Sequence, residues 1–288
     1  VRSDTLRVPG ATLYYEVRGS GPLLLMIPGG GGDAAASDGV AEILRQHYTV
    51  VSFDPRGYGR SRLDSGVPER QYVAVQREDV RLLLDHLTDE PAAIFGGSSG
   101  AIVGLDLLAN HPERVRRLVA HEPPCFAVLP DAAEHRAMAE EVETLARTED
   151  PAAAGARFLA AIGNVVKPQP EGAAGTERAL AMRARQAVNG PIMFEYEFRE
   201  FTSYAPDFEA LAAVADRLVP AAGRETRGHL PYRPIATIAE RLGRELVEFP
   251  GAHNGGFSDA PEFARQLLEV LAADRITESI NAMPGRGA

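Results

Sequence analysis

Three times in the first hundred residues a short, largely apolar run ends in a glycine-bearing loop, and this recurrence restricts the chain to few architectures. Leu23 to Ile27 meets Pro28-Gly29-Gly30-Gly31-Gly32, Val50 to Phe53 meets Asp54-Pro55-Arg56-Gly57-Tyr58-Gly59-Arg60-Ser61, and Ala92 to Phe95 meets Gly96-Gly97-Ser98-Ser99-Gly100. Runs of this length without polar alternation are strands covered on both faces. Between the second and third lies a helical period, with Val80, Leu83, Leu84 and Leu87 on one stripe. After the third, Ala101 to Asn110 is helical, Pro112 ends it, and Val115 to Ala120 supplies a fourth buried strand. Strands alternating with helices predict a mostly parallel sheet flanked by helices, with ligands at the carboxyl ends of the strands. All three loops lie at those ends.

The flanking segments complete the pattern. The N-terminus reads as a hairpin around Pro9-Gly10, since Leu13, Tyr15 and Val17 alternate with more polar neighbours. From about Cys125 to Tyr204 the strand signal stops, and an Ala-, Glu- and Arg-rich stretch of helical period, broken between Lys167 and Gly175, predicts an inserted helical lid. The α/β alternation resumes with a strand at Leu218 to Ala222, a helix at Ile235 to Leu242, a strand at Glu245 to Phe249 and a final helix at Pro261 to Ala272. The expected division is a core of residues 1–124 and 205–275, a lid of 125–204 and a flexible tail of 276–288.

Composition removes several function classes. Forty acidic against 30 basic residues give a net charge of −10, which disfavours a protein that tracks nucleic-acid phosphates. The single cysteine, Cys125, permits neither an intrachain disulfide nor a paired-cysteine metal site. No segment reaches the roughly 18 apolar residues of a membrane span, and the opening residues lack the apolar core of a signal peptide. The expectation is a cytoplasmic chain with no nucleic-acid or membrane partner and with a homodimer admissible. No metal-ligand cluster or dinucleotide fingerprint is apparent, so no cofactor is expected.

Chemistry concentrates at the third loop. Gly96 to Gly100 fits G-x-S-x-G between a buried strand and an apolar-faced helix, which makes Ser98 the candidate nucleophile on a tight, strained turn. A serine hydroxyl needs a base within hydrogen-bond reach and a third group to hold that base. His47, His86, His111 and His135 fall in or beside helices remote from the strand ends, whereas His253 lies on the last strand-end loop, between Pro250-Gly251 and Asn254-Gly255-Gly256. His253 is the candidate base. The backbone N–H of Ser99, directly after the nucleophile, supplies one oxyanion donor, and the four-glycine loop supplies the other, best from Gly30, with Gly29 and Gly31 beside it as substrate contacts.

Strand order, elbow, the Asp54 to Ser61 loop and the late His253 together resemble the α/β-hydrolase superfamily over residues 5 to 273. The resemblance implies an α/β-hydrolase fold and a hydrolytic triad. Many relatives carry the triad acid three residues after a glycine at the penultimate strand, yet here Gly223-Arg224-Glu225 leads to Thr226 at that position. The segment Phe95 to Pro124 is similar to that of fungal zearalenone-type lactonases, which carry the acid in a His-Glu motif; that likeness makes Glu122 the acid, with Glu225 its rival. It also implies a small hydrophobic ester or lactone as substrate. His121, Phe194 and Phe198 are candidate substrate contacts, and Cys125 a candidate pocket wall. Three functions remain open: a serine ester or lactone hydrolase, the same triad used for C–C bond hydrolysis or cofactor-free oxygenation, and a non-catalytic ligand receptor.

Overall fold

In the computed structural model, residues 1–148, 151–167 and 176–281 are described, with side chains through residue 272. Nine strands form one sheet: β1 (Arg2–Val8), β2 (Ala11–Arg18), β3 (Leu23–Ile27), β4 (Thr49–Phe53), β5 (Arg62–Leu63), β6 (Ala92–Gly97), β7 (Val115–His121), β8 (Leu218–Gly223) and β9 (Val247–Phe249). Their spatial order is β1-β2-β4-β3-β6-β7-β8-β9, with β5 paired to β2 off that path. From β4 to β9 every pairing is parallel, while β1, β2 and β5 add an antiparallel edge. The edge begins as the expected hairpin, with Val8 opposite Ala11 and Gly10 turning the chain at φ 79°.

Successive strand residues face opposite layers. Leu25, Ile27, Val51, Phe53 and Ile94 pack toward the helices α1 (Val73–Leu87) and α2 (Ser99–Asn110). Leu24, Met26, Val50, Ala93, Phe95 and Val119 pack toward the other side, where Val40 and Leu44, then Phe263, Leu267 and Leu271, complete a second core. The last three come from α3 (Ala260–Asn281), which runs nine residues beyond the expected end at Ala272. The tail expected over 276–288 therefore overlaps this helix, and residues 282–288 lie outside the described residues.

Between β7 and β8 the chain builds helices Ala132–Thr148, Pro151–Ala161, Glu177–Ile192 and Phe198–Thr202, whose own core holds Phe126, Met138, Val142, Phe194 and Phe198. Arg178 reaches down to Glu16 and Asp38, Arg185 to Asp33, and Arg199 together with Arg70 holds Glu143. Pro191 lies inside the helix Glu177–Ile192, and the chain continues through a π-turn at Met193–Glu197. Proline lacks the N–H that an α-turn requires, so the hydrogen-bond ladder shifts there. Among the described residues no helix is long and apolar enough to cross a membrane.

Candidate active site

The strand-to-helix turn at residue 98 leaves no room for side chains on its flanks. A Cβ on Gly96 would fall 2.4 Å from the Gly100 carbonyl oxygen, and one on Gly100 would fall 2.4 Å from that of Ile27. Glycine at both places lets β6, the following helix and β3 meet, and Ser98 is left at φ 52°, ψ −122° with its N–H donating to the His121 carbonyl at 2.9 Å. Left-handed backbone costs a non-glycine residue on the order of 1–3 kcal/mol and persists only where the surroundings enforce it. Among the described residues three non-glycine side chains pay that cost, Ser98, Glu122 (φ 50°) and Asn164 (φ 55°). Two of the three are strand-end residues singled out above for catalysis.

Glu122 follows β7, and its own N–H donates to the Ala221 carbonyl at 3.0 Å, which ties the strained residue to β8. Its carboxylate is buried. Oε1 accepts the Gly223 N–H at 2.8 Å and the Thr226 hydroxyl, and Oε2 stands 2.6 Å from His253 Nδ1. Burial alone raises a carboxyl pKa, but the hydrogen bonds from His253 and Thr226 and the neighbouring imidazoles outweigh it and hold Glu122 at about 2. Thr226 thus occupies the position after β8 where the resemblance would place an acid, and it donates its hydroxyl to the Glu122 carboxylate at the end of the neighbouring β7. Glu225 is exposed; its N–H donates to the Gly251 carbonyl at 3.2 Å, but its carboxylate pairs with Lys167 Nζ at 2.6 Å, whereas His253 Nδ1 meets Glu122.

His253 sits on the loop after β9, between Ala252 and Asn254. Its backbone N–H donates to the Val165 carbonyl at 3.2 Å, and Asn254 exchanges two hydrogen bonds with the Lys167 backbone at 2.9 and 2.7 Å. This strap from the inserted helices holds the imidazole loop. Nothing in the sequence period announces it.

Ser98 and His253 line one cavity of about 600 Å³ with Gly29, Gly30, Gly31, Ser99, His121 and Phe198. Among the described residues no hydrogen bond joins the Ser98 and His253 side chains, and contacts of this kind often tighten only once substrate is bound. Phe194 is the exception among the expected contacts: it packs on Phe158 and Phe198 within the core of the inserted helices and does not line the cavity. Phe194 and Phe198 still meet across the π-turn at Met193–Glu197, but Phe194 is turned into the core of the inserted helices with Phe158 while Phe198 reaches the cavity. Phe158, Met193, Phe257 and Phe263 line the cavity although sequence reading did not single them out for it. Cys125 is buried off the cavity, and burial pushes its thiol far up, so it is an inert core residue.

His121 is 2% exposed and is enclosed by the rings of Phe95, Phe249 and Phe263. Burial depresses it from 6.5 to about 4, against the pull of Glu122. Between those values the unfolded chain takes a proton that the folded chain refuses, so stability falls as pH drops from 6.5 toward 4, by on the order of 3 kcal/mol at full extent. Glu122, whose folded value is depressed, adds its own loss only below about 4.5, as pH falls toward 2. Urea midpoints measured from pH 7 to 4.5 should therefore decline for the wild type, and His121→Phe should flatten that decline. An unchanged slope in the variant would assign the acid sensitivity elsewhere.

Comparison with known proteins places this chain among α/β hydrolases. Residues 22–144 match the sequence profile of the alpha/beta hydrolase fold. The chain is 36% identical over 281 residues to the uncharacterized hydrolase YraK of Bacillus subtilis (strain 168), covering 96% of this chain and 98% of that protein. It is 29% identical over 277 residues to a zearalenone hydrolase of Bionectria ochroleuca, covering 93% and 97%. A hydrolase from Pseudomonas aeruginosa PA01 superposes with a TM-score of 0.70 at 25% identity, covering 93% of this chain and 98% of that one.

Proposed function

We propose that this chain, which belongs to the α/β-hydrolase family, is a serine hydrolase that cleaves a carboxylic ester or lactone through an acyl-enzyme on Ser98. The observation that carries the reading is the buried Glu122 carboxylate 2.6 Å from His253 Nδ1, with the imidazole and the strained Ser98 on one cavity wall. A carboxylate on Nδ1 keeps the proton there and leaves Nε2 free to take one, which is the state a general base requires. As Ser98 Oγ attacks the acyl carbon, its proton passes to Nε2, and Glu122 stabilises the imidazolium. The N–H groups of Ser99 and Gly30 receive the oxyanion. Collapse of the tetrahedral species returns the proton to the leaving alkoxide, and water, activated by the same imidazole, releases the acid. A lactone yields one ring-opened hydroxy acid, an ester two products.

Substrate class follows from the wall. Phe158, Met193, Phe198, Phe201, Phe257 and Phe263 make it largely apolar, and about 600 Å³ accepts a drug-sized molecule. The zearalenone hydrolase among the relatives directs the choice toward bulky aryl lactones. The test is a turnover panel of p-nitrophenyl esters of rising acyl length beside an aryl macrolactone. Hydrolysis at rates well above background, with preference for the bulkier acyl groups, is the expected result. A chain that accepts a serine-directed probe but turns over no member of the panel would transfer the triad to C–C bond cleavage.

A further inference from the structure

Asn189, Met193 and Glu197 follow one another at four-residue spacing along the end of the lid helix and its π-turn, and all three bear on the glycine loop after β3. Asn189 is 1% exposed; its Nδ2 donates to the Gly31 carbonyl at 3.0 Å and its Oδ1 accepts the Gly59 N–H at 3.0 Å. Glu197 is 2% exposed; its Oε2 accepts the Tyr58 hydroxyl at 2.7 Å. Its Oε1 lies beside the Gly30 Cα without a well-formed hydrogen bond: a Cβ there would come within 3.0 Å of Glu197 Oε1, Met193 Cγ and Ser99 Oγ alike. The turn itself is closed by Gly32 N–H on the Gly29 carbonyl at 2.9 Å, with Gly31 at φ 67°. Four glycines in succession have no side chains with which to fix their own peptide planes. The planes are fixed from outside, by the inserted helices.

We infer that Asn189 and Glu197 are positioning residues for the Gly30 arm of the oxyanion site, so that seating of the lid on the core and stabilisation of the tetrahedral intermediate are one event. The inference rests on the serine-hydrolase reading of Ser98. Its physical basis is that oxyanion donors act only when preorganised: an N–H misaimed by a fraction of an ångström loses most of its catalytic value. Asn189 anchors the Gly31 carbonyl, and Glu197 with Met193 walls the outer side of Gly30, leaving the inner side to the substrate. Burial raises the Glu197 carboxyl, against the pull of the Tyr58, Ser99 and Gln76 hydrogen-bonding groups. The Tyr58 hydroxyl and Gly59 N–H belong to the second strand-end loop, so the lid also ties the two loops together.

The experiment uses p-nitrophenyl butyrate turnover, inhibition by phenylboronic acid, which forms a tetrahedral adduct on a nucleophilic serine, and inhibition by benzyl alcohol, which does not. Asn189→Asp and Glu197→Ala should lower kcat by about 10- to 100-fold and weaken phenylboronic acid by a similar factor, with KM and benzyl alcohol affinity within about threefold of wild type. Glu197→Gln, a neutral isostere, should recover most of the loss. Tyr58→Phe removes one hydroxyl and no volume, so it tests the same contact if the larger changes disturb folding; it should lose several-fold in kcat and in phenylboronic acid affinity together. Wild-type kcat and phenylboronic acid affinity in these variants would overturn the inference, as would a loss shared equally by KM and benzyl alcohol binding. Ser98→Ala in the same assay keeps the two readings apart: if it retains turnover, the acyl-enzyme reading fails, and if it is inactive while the lid variants are normal, only the positioning role fails.

Discussion

A fluorophosphonate probe should label the wild-type chain once, at Ser98, and Ser98→Ala should take no label and lose on the order of 10³ or more in kcat while KM stays similar. The expectation follows from how the turn is built. Gly96 and Gly100 are excluded from carrying side chains by backbone 2.4 Å from where their Cβ atoms would be, so the chain reverses from strand to helix within one residue. That residue, at φ 52°, is pinned by its N–H on the His121 carbonyl and stands at the start of the helix Ser99–Asn110. It lines the cavity that His253 also lines. Ser99 lines the same cavity, with its hydroxyl beside the Gly30 Cα on the side where Glu197 sits. Peptide mapping therefore discriminates neighbours: an adduct on Ser99, or labelling of Ser98→Ala to wild-type extent, would remove Ser98 from the reaction. Residual turnover in Ser98→Ala has a physical source, since the oxyanion donors and the cavity still bind the substrate.

What the sequence disclosed, and what it withheld, follows from the range of the forces involved. Buried parallel strands were legible because both faces of Leu23–Ile27 and Thr49–Phe53 meet helices, so hydrophobicity is continuous along the chain. The elbow was legible because its steric demand falls on residues two positions away from the serine. The helix after Pro261 outran its expected end, because Asp274, Arg275 and Thr277 break the apolar stripe without breaking the helix. Phe194 was less legible: it fills the core of the inserted helices with Phe158 and Phe198, and sequence does not tell an aromatic that packs there from one that lines the cavity. Least legible were contacts between distant segments: the strap joining Val165 and Lys167 to the His253 loop, and the Asn189 bond to Gly31, span 88 and 158 residues and leave no period in the chain. Polar side chains inside a helix look alike in sequence whether they meet solvent or a glycine loop.

Glu122→Gln should cost about 10³ to 10⁴ in kcat, and Glu225→Gln should stay within about threefold of wild type, with both variants folded by circular dichroism. The two carboxylates differ in what surrounds them. Glu122 is buried and accepts from three donors, Gly223 N–H, the Thr226 hydroxyl and His253 Nδ1, so an amide in its place must turn its own donating nitrogen toward one of them. Turned toward His253, the amide nitrogen reverses the tautomer and leaves Nε2 protonated, unable to accept from Ser98. Turned the other way, it faces Gly223 and Thr226, and the imidazolium formed during catalysis loses its negative partner. Either orientation disables the base. Glu225 and Lys167 form an exposed pair, 49% and 41% accessible, and such pairs contribute about 0–1 kcal/mol. The reverse ranking in kcat would move the acid to the strand after which many relatives carry it and leave the Glu122 bond to His253 without a catalytic role. The ranking is decisive because Thr226 removes the middle ground: standing where that other acid would stand, it donates to Glu122, so the two strand ends supply one acid and one group that holds it in place.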